Sequence, residues 1–307
     1  MEEHLEFQAD VKGVRIDKFV AERIDRLSRS AVEKLIKKGL VLVDGVIVKP
    51  SYRLKGGEHI SVTILPPPPL EPSPSPIPLD VIYEDEWLIA INKPAGLVVH
   101  PACGHRDDTL VNALLARWPE LRGVGEKWRL GIVHRLDKGT SGLIVVAKDE
   151  RTQRDLQRQF KERKVRKVYL ALVKGVVQPS EGKIEAPIAR HPRHRKKMAV
   201  IAGGREAITE YKVLEYFPNY TYLEAYPRTG RTHQIRVHFS HVGHPVVGDR
   251  VYGRSSGSLG LERPFLHAYI LGFHHPFTGR YMELKAPLPE ELEVFLEKLR
   301  SLGSKYS

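Results

Sequence analysis

Two short stretches hold side chains whose types and spacing could do chemistry. In "HRLDKGT", residues 134–140, one carboxylate, Asp137, stands among His134, Arg135 and Lys138. The insert separates two apolar runs, Gly131-Ile132-Val133 and Leu143 to Ala147. Neighbouring cations favour the charged form of a carboxyl group. A salt-bridged turn between buried segments would use the same residues, so the stretch alone leaves both readings open. The second stretch is "RTGRTHQIRVHFSHVGHPVVGD", residues 228–249. Ile235, Phe239 and Val242 fall at helical spacing after Thr232, a reasonable N-cap, and Gly243 with Pro245 ends the pattern. The alternation of Ile235, Val237 and Phe239 would also suit a strand. As a helix, it puts Arg236 in the first turn, where backbone donors and a guanidinium could face an anion together.

Four histidines in that stretch (His233, His238, His241 and His244) raise the possibility of a metal. No His-Glu-x-x-His motif occurs, no cysteine is near, and His233 would not share a helix face with His238 and His241, so no metal site is expected. Neither a phosphate-binding glycine loop nor a dinucleotide fingerprint is present. The chemistry, if there is any, is expected to need no cofactor.

The elements that must position these residues form two parts. Proline is dense in "LPPPPLEPSPSPIPL", Leu65 to Leu79, and cannot serve a helix interior or a central strand. A small domain at 1–65, a Pro-rich linker at 66–78 and a larger domain at 79–307 follow from it. In the first part Ile16, Phe19, Val20 and Ile24 have helical spacing. A second helix opens at Ser28 or Ser30 and turns Val32, Leu35 and Ile36 to one face. Asp44-Gly45 between two Val/Ile runs signals a tight hairpin. In the second part "DDTLVNALLARWP" and "DERTQRDLQRQFKERKV" read as helices, whereas "RKVYLALVKGVV" and "AITEYKVLEYF" alternate as strands. "ARHPRHRKKMAV" reads as a basic loop or hairpin tip. Strands outnumber helices without alternating with them, which favours α+β over a doubly wound parallel sheet.

The chain of 307 residues is 41% hydrophobic and carries a formal charge of +12. Between Arg151 and Val213 stand 17 Lys/Arg against 6 Asp/Glu, so this one segment accounts for nearly all of the excess. A clustered positive charge interleaved with Tyr169 and Tyr211 points to a polyanion, above all nucleic acid. The single cysteine, Cys103, excludes an intramolecular disulfide framework and fits a reducing cytoplasm. No apolar run is long enough to span a bilayer, and Met1 to Asp10 does not look like a signal peptide. No coiled-coil pattern or broad apolar stripe appears, so a monomer without membrane attachment is expected.

Taken in order, "YEDEWLIAINKPAGLVVHP", "HRLDKGTSGLIVVAK", "RKVYLALVKG" and "GRTHQIRVHFSHVGHPVVGD" resemble the RluA/RluD-type pseudouridine synthase family, from about Leu79 to Pro287. "RIDKF", "SRSAVEKLIKKGLVLVDG" and "GGEHISV" resemble the RNA-binding domain first described in ribosomal protein S-four. One departure stands out: Gly139 occupies a position that is often acidic in the synthase family. The resemblance implies an α+β fold, with a mixed, largely antiparallel sheet in the catalytic domain and a small α+β RNA-binding domain before it. It implies isomerisation of specific uridines to pseudouridine in ribosomal RNA of the large subunit or its precursor particle.

It also implies residue roles. Asp137 is the nucleophile, Arg236 holds it, and Tyr169 stacks on the uracil. The neighbours His134, Arg135, Lys138 and Thr140, with Arg231, His233 and Gln234, become candidate RNA contacts. In the first domain the candidates are Arg15, Lys18, Ser28 and Arg29, with Lys34, Lys37 and Lys38 along the basic helix face. Whether Asp137 attacks the anomeric carbon or the base, or assists an elimination at the sugar, is left open. So are two other functions: a non-catalytic RNA-binding or ribosome-assembly protein, and a metal-dependent nuclease built on the histidines.

Overall fold

A computed structural model describes residues 3–64, 72–102, 104–125, 129–194, 197–253 and 260–303. The chain divides into two compact units, Met1–Leu70 and Glu71–Ser307. The first runs β1 (Glu3–Gln8), α1 (Ile16–Arg23), α2 (Arg29–Lys37), β2 (Val41–Val43), β3 (Val46–Ile47) and β4 (His59–Ile64). Its sheet has the order β1-β4-β2-β3. Ile16, Phe19 and Val20 of α1 and Val32 and Ile36 of α2 are buried against Val41, Val43, Ile60 and Val62, as the helical and strand periods require. Ser28 caps α2 by accepting from the Ala31 amide. Asp44 and Gly45 both have positive φ (47° and 76°), so a tight turn of the primed type joins β2 to β3.

The second unit runs β5 (Asp80–Glu84), β6 (Leu88–Lys93), α3 (Leu110–Arg117), β7 (Ser141–Ala147), α4 (Glu150–Lys161), β8 (Arg166–Lys174), β9 (Glu181–Glu185), β10 (Ile188–Arg190), β11 (Met198–Val200), β12 (Ile208–Phe217), β13 (Tyr220–Pro227), α5 (Gln234–His241), β14 (Leu266–His274), β15 (Tyr281–Lys285) and α6 (Glu290–Gly303). Its sheet has the order β5-β6-β7-β14-β8-β13-β12-β9, with β15 beside β14. Among these pairings only β7 with β14 is parallel. The unit is α+β with a mixed, largely antiparallel sheet. β10 and β11 form a separate antiparallel hairpin from the basic segment, whose residues Arg195 and Lys196 lie outside those described.

All seven residues of β7 are buried, which explains a run without polar alternation. Its Ile144 and Val146 join Ile89 and Ile91 against α3, whereas Leu143, Val145 and Ala147 join Leu88 and Ala90 against Leu156 of α4. On β8, Ala171 and Val173 face Ile235 and Phe239 of α5, and Leu170 and Leu172 face α6. Helices therefore cover both faces of the central strands. Residues 65–71 of the proline segment lie outside those described. Its later part does not run as a free spacer. Asn112 of α3 donates to Ser73 O (2.7 Å) and accepts from the Ser75 amide through its own carbonyl (3.0 Å), and Ile77 packs on the α3 core. A proline-rich strand has unpaired carbonyls, and the buried Asn112 supplies the missing donor.

Candidate active site

Asp137 stands in the turn that feeds β7. Before it, Gly131 has φ 73°, and its carbonyl accepts from the Ala147 amide at 2.9 Å. A Cβ at Gly131 would fall 2.0 Å from Ala147 O, so only glycine lets the chain run this close to β7. The Thr140 amide then donates to Asp137 O (3.0 Å), and the Gly96 amide donates to Lys138 O (2.7 Å). Gly139 lies against Pro264, where a Cβ would come within 2.9 Å of Cδ; this contact favours glycine at a position that is often acidic in the synthase family.

Arg236 reaches Asp137 from α5. That helix begins at Gln234 with His233 at the cap, in a left-handed conformation (φ 57°) and without a side-chain cap bond, so Thr232 does not cap it. The entry is held by Gln234 instead. Its amide oxygen accepts from Thr229 Oγ1 (2.7 Å) and the Arg231 amide (3.0 Å), and its amide nitrogen donates to Ile208 O (2.9 Å). The sequence reading has Gln234 as an RNA contact; with its polar atoms occupied inside the protein, it fixes the loop instead.

Arg236 is 6% exposed. Its Nη1 donates to Asp137 Oδ2 at 3.0 Å, while Nε and Nη2 donate to the two oxygens of Asp249 at 2.6 and 3.0 Å. Burial works against the guanidinium charge, but Asp249 and Asp137 outweigh it and raise its pKa. Burial alone would also raise Asp249; Arg236 and the amides of Val251 and Tyr252 lower it instead. The result is a buried carboxylate–guanidinium–carboxylate row whose outer member, Asp137, keeps 17% of its side chain exposed. The row presents one partly free carboxylate with its orientation held from behind.

Tyr169 stands on β8 between Ala225 of β13 and Ala268 of β14. Burial first, and the Asp137 charge second, raise its phenol pKa, so it stays protonated at neutral pH. Asp137, Tyr169 and Arg236 all line one cavity of about 540 Å³. Eight lysines and arginines line it with a single carboxylate: Arg135, Lys161, Arg163, Lys167, Arg205, Arg228, Arg231 and Arg236 face Asp137. Such an imbalance draws polyanions and concentrates them at the cavity mouth.

The remaining candidates divide. Arg135 is exposed on this cavity; Thr140 also lines it, with a buried hydroxyl that has no hydrogen-bond partner. Arg231 donates through Nε to Glu206 O (2.9 Å), and burial lowers its pKa. His233 shares a hydrogen bond with the Tyr252 hydroxyl (2.7 Å) and lies 3.8 Å from Asp137 Oδ1. Lys138 turns to His105, whose Nε2 is 3.2 Å from its ammonium. His134 is not a cation for RNA: its Nε2 accepts from the Val145 amide (3.0 Å), and burial, helped by Lys167, lowers its pKa to about 3. A nitrogen that accepts from a backbone amide cannot also carry a proton.

In the first unit, Lys18, Lys34, Lys37 and Lys38 are exposed. Arg15 (3.1 and 2.8 Å) and Arg29 (3.0 Å) donate to the buried carboxylate of Asp17, and Ser28 is engaged as the cap of α2. The four histidines do not converge. His238 donates to Ala186 O and shares a bond with Thr209, His244 contacts Lys174 O, and His233 faces Tyr252. No three His, Cys, Asp or Glu residues gather around a metal-sized space among the described residues.

Two residues beyond the sequence reading belong here. Asp249 is the only carboxylate in residues 228–249, a signal that mirrors the isolation of Asp137. Lys93 is a charged end to an apolar strand; fully buried, it donates to Pro94 O (2.7 Å) and Leu97 O (2.9 Å) and so shapes the turn that contains Gly96. Burial lowers its pKa to about 7, against the opposing pull of Asp137.

The family described as "RNA pseudouridylate synthase" matches residues 87–241, and the S4 domain matches residues 14–60. An "Uncharacterized RNA pseudouridine synthase" of Aquifex aeolicus is 48% identical, over 94% of each chain. A "Ribosomal large subunit pseudouridine synthase D" of Xylella fastidiosa is 45% identical, over 94% of this chain and 89% of that one. Among solved structures, "Human RNA Pseudouridylate Synthase Domain Containing 4" aligns with a TM-score of 0.59 and 30% identity, over 72% of this chain and 93% of that one.

Proposed function

Because this chain belongs to the RNA pseudouridylate synthase family, we propose that it isomerises uridines of large-subunit ribosomal RNA to pseudouridine, with Asp137 as the nucleophile. The observation that carries the reading is the single carboxylate in a cavity that eight lysines and arginines also line, with Arg236 3.0 Å behind it and Tyr169 on the same cavity. Relatives named as large-subunit synthases support the choice of RNA.

The reaction breaks the bond from uracil N1 to the ribose and forms one from C5 to the same carbon; C5 loses a proton and N1 gains one. No water is consumed and no electrons pass to an outside acceptor, so no cofactor is required. Glycoside hydrolases generally need a second carboxyl group to protonate a leaving group and activate water, and this reaction does not. Asp137 supplies the charge, acting at the anomeric carbon, at the base, or on the sugar in an elimination. Arg236 holds its orientation, and Tyr169 offers a ring face to a base taken out of its stack. The exposed lysines of α2 would hold RNA through phosphates. A monomer in a reducing cytoplasm fits this reading.

The test is pseudouridine mapping across ribosomal RNA from cells with the wild-type gene, without it, and with Asp137→Asn. One or more large-subunit positions should lose pseudouridine in both altered strains, while purified Asp137→Asn still binds the RNA. Unchanged pseudouridine in the Asp137→Asn strain would overturn the assignment. RNA cleavage that stops in chelator would point to the nuclease instead.

A further inference from the structure

A second recess, of about 390 Å³, adjoins the active-site cavity and shares Arg163, Lys167, Pro227 and Arg228 with it. Lys164 and Arg166 also line it, against one carboxylate, Glu210. Most of these cations have exposed partners: Arg163 pairs with Glu206, Arg228 with Glu210, and Arg166 with Glu283. Exposed pairs of this kind contribute little and exchange readily for a phosphate. Lys167 differs. Among the described residues its ammonium makes one long contact, 3.4 Å to Thr229 O, and the charges that act on it are those of Arg163 and Arg228, both positive. Burial first and those two arginines second lower its pKa to about 8. Holding a cation between two others without a counter-ion is unfavourable unless an anion arrives.

Lys167 and Tyr169 are two residues apart on β8, so they project from the same face, about 7 Å apart along the strand. Both line the active-site cavity. A base against the Tyr169 ring would therefore carry its own or an adjoining phosphate toward Lys167, at the junction of the two recesses. We propose that Lys167, flanked by Arg163 and Arg228, binds a phosphodiester of the substrate RNA next to the uridine that enters the cavity. The proposal rests on the RNA-modifying reading above and adds a phosphate site to it.

The experiment compares wild-type protein, Lys167→Met and Lys167→Arg on a ribosomal RNA fragment that the wild type modifies. Equilibrium binding is measured across a salt series, with steady-state kinetics and urea unfolding of each protein. Removing one phosphate contact should lower the slope of log affinity against log salt by about 0.7–0.9. Lys167→Met should show that change and a KM raised on the order of tenfold, with a smaller effect on kcat. Lys167→Arg should restore both. Stability of Lys167→Met should equal or exceed that of wild type, because a repelled charge is removed; a purely structural lysine would predict a loss. An unchanged salt slope in Lys167→Met overturns the proposal, as does stabilisation of wild type by inorganic phosphate without any change in RNA affinity for the variant. Failure of the enzymatic reading would appear separately, as wild-type protein that binds the fragment without forming pseudouridine.

Discussion

Asp249→Asn isolates what the buried charge row does, because the substitution keeps the shape and removes one charge. Asp249 Oδ1 accepts from Arg236 Nη2 (3.0 Å), the Val251 amide (2.9 Å) and the Tyr252 amide (3.1 Å). An asparagine carbonyl in that position keeps all three. Oδ2, which accepts from Arg236 Nε at 2.6 Å, becomes an amide nitrogen, and a donor then faces a donor. The variant loses one charge-assisted hydrogen bond of ~1.5–3 kcal/mol, and Arg236 keeps only Asp137 as a counter-charge. Breaking a buried pair outright costs ~3–5 kcal/mol. With Asp137 still in place, the expected loss is about 2–3 kcal/mol, out of the ~5–15 kcal/mol typical of a domain. The protein stays folded, so its kinetics report the site. A guanidinium freed on one side no longer fixes Asp137, and kcat should fall by ~10–100-fold, equivalent to ~1.4–2.8 kcal/mol in the barrier. Urea unfolding gives the first quantity. Release of tritium from C5-labelled uridine in a ribosomal RNA fragment, with enzyme in excess, gives the second. A stability loss under about 1 kcal/mol together with an unchanged rate would refute the view that Asp249 positions Asp137 through Arg236.

Three further outcomes follow from the same geometry. Tyr169→Phe should keep most RNA affinity and rate, whereas Tyr169→Ala should lose about 1–3 kcal/mol of base stacking, read from KM and single-turnover rates; equal effects of the two would argue against a stacking ring. Gly131→Ala should unfold the approach to β7 and abolish activity, since its Cβ meets a backbone oxygen at 2.0 Å; a variant with wild-type melting temperature would contradict that contact. Stability should also depend on pH. His134 and His267 have pKa values lowered to about 3 and about 4 by burial, so below an unfolded value near 6.5 the unfolded chain binds more protons. Their contribution is fully present above about pH 6.5 and is lost as pH falls toward 4 and 3; His134→Gln should flatten the fall in urea midpoint between pH 6.5 and 4, and an unaltered slope would remove His134 from the account.

Apart from the grouping of Asp137, Tyr169 and Arg236 that the family resemblance implied, what could be read from the chain alone was local. The 3.6-residue spacing of α1, α2, α3 and α4, the unbroken apolar run of β7, the Asp44-Gly45 turn and the isolation of Asp137 among cations all depend on neighbours within a few positions. Such features follow from backbone periodicity and turn chemistry, so the residues announce them. The boundary near residue 70 is equally visible, although only the folded unit ties residues 73–77 to Asn112.

The tertiary structure decided which distant groups meet. Asp137 and Arg236 lie 99 residues apart and touch because parallel β7 and β14, with β8 and β13 beyond them, bring the turn before β7 to the loop after β13. Charge pairing across that separation has no periodic signature; the isolation of Asp249 among residues 228–249 marks it as unusual but does not say which cation it holds. The same cause separates His134 and Gln234 from the RNA contacts that their positions in the motifs suggest. A polar side chain next to a catalytic motif faces either the cavity or the backbone, and burial with hydrogen-bond supply, settled only when the sheet closes, selects between them.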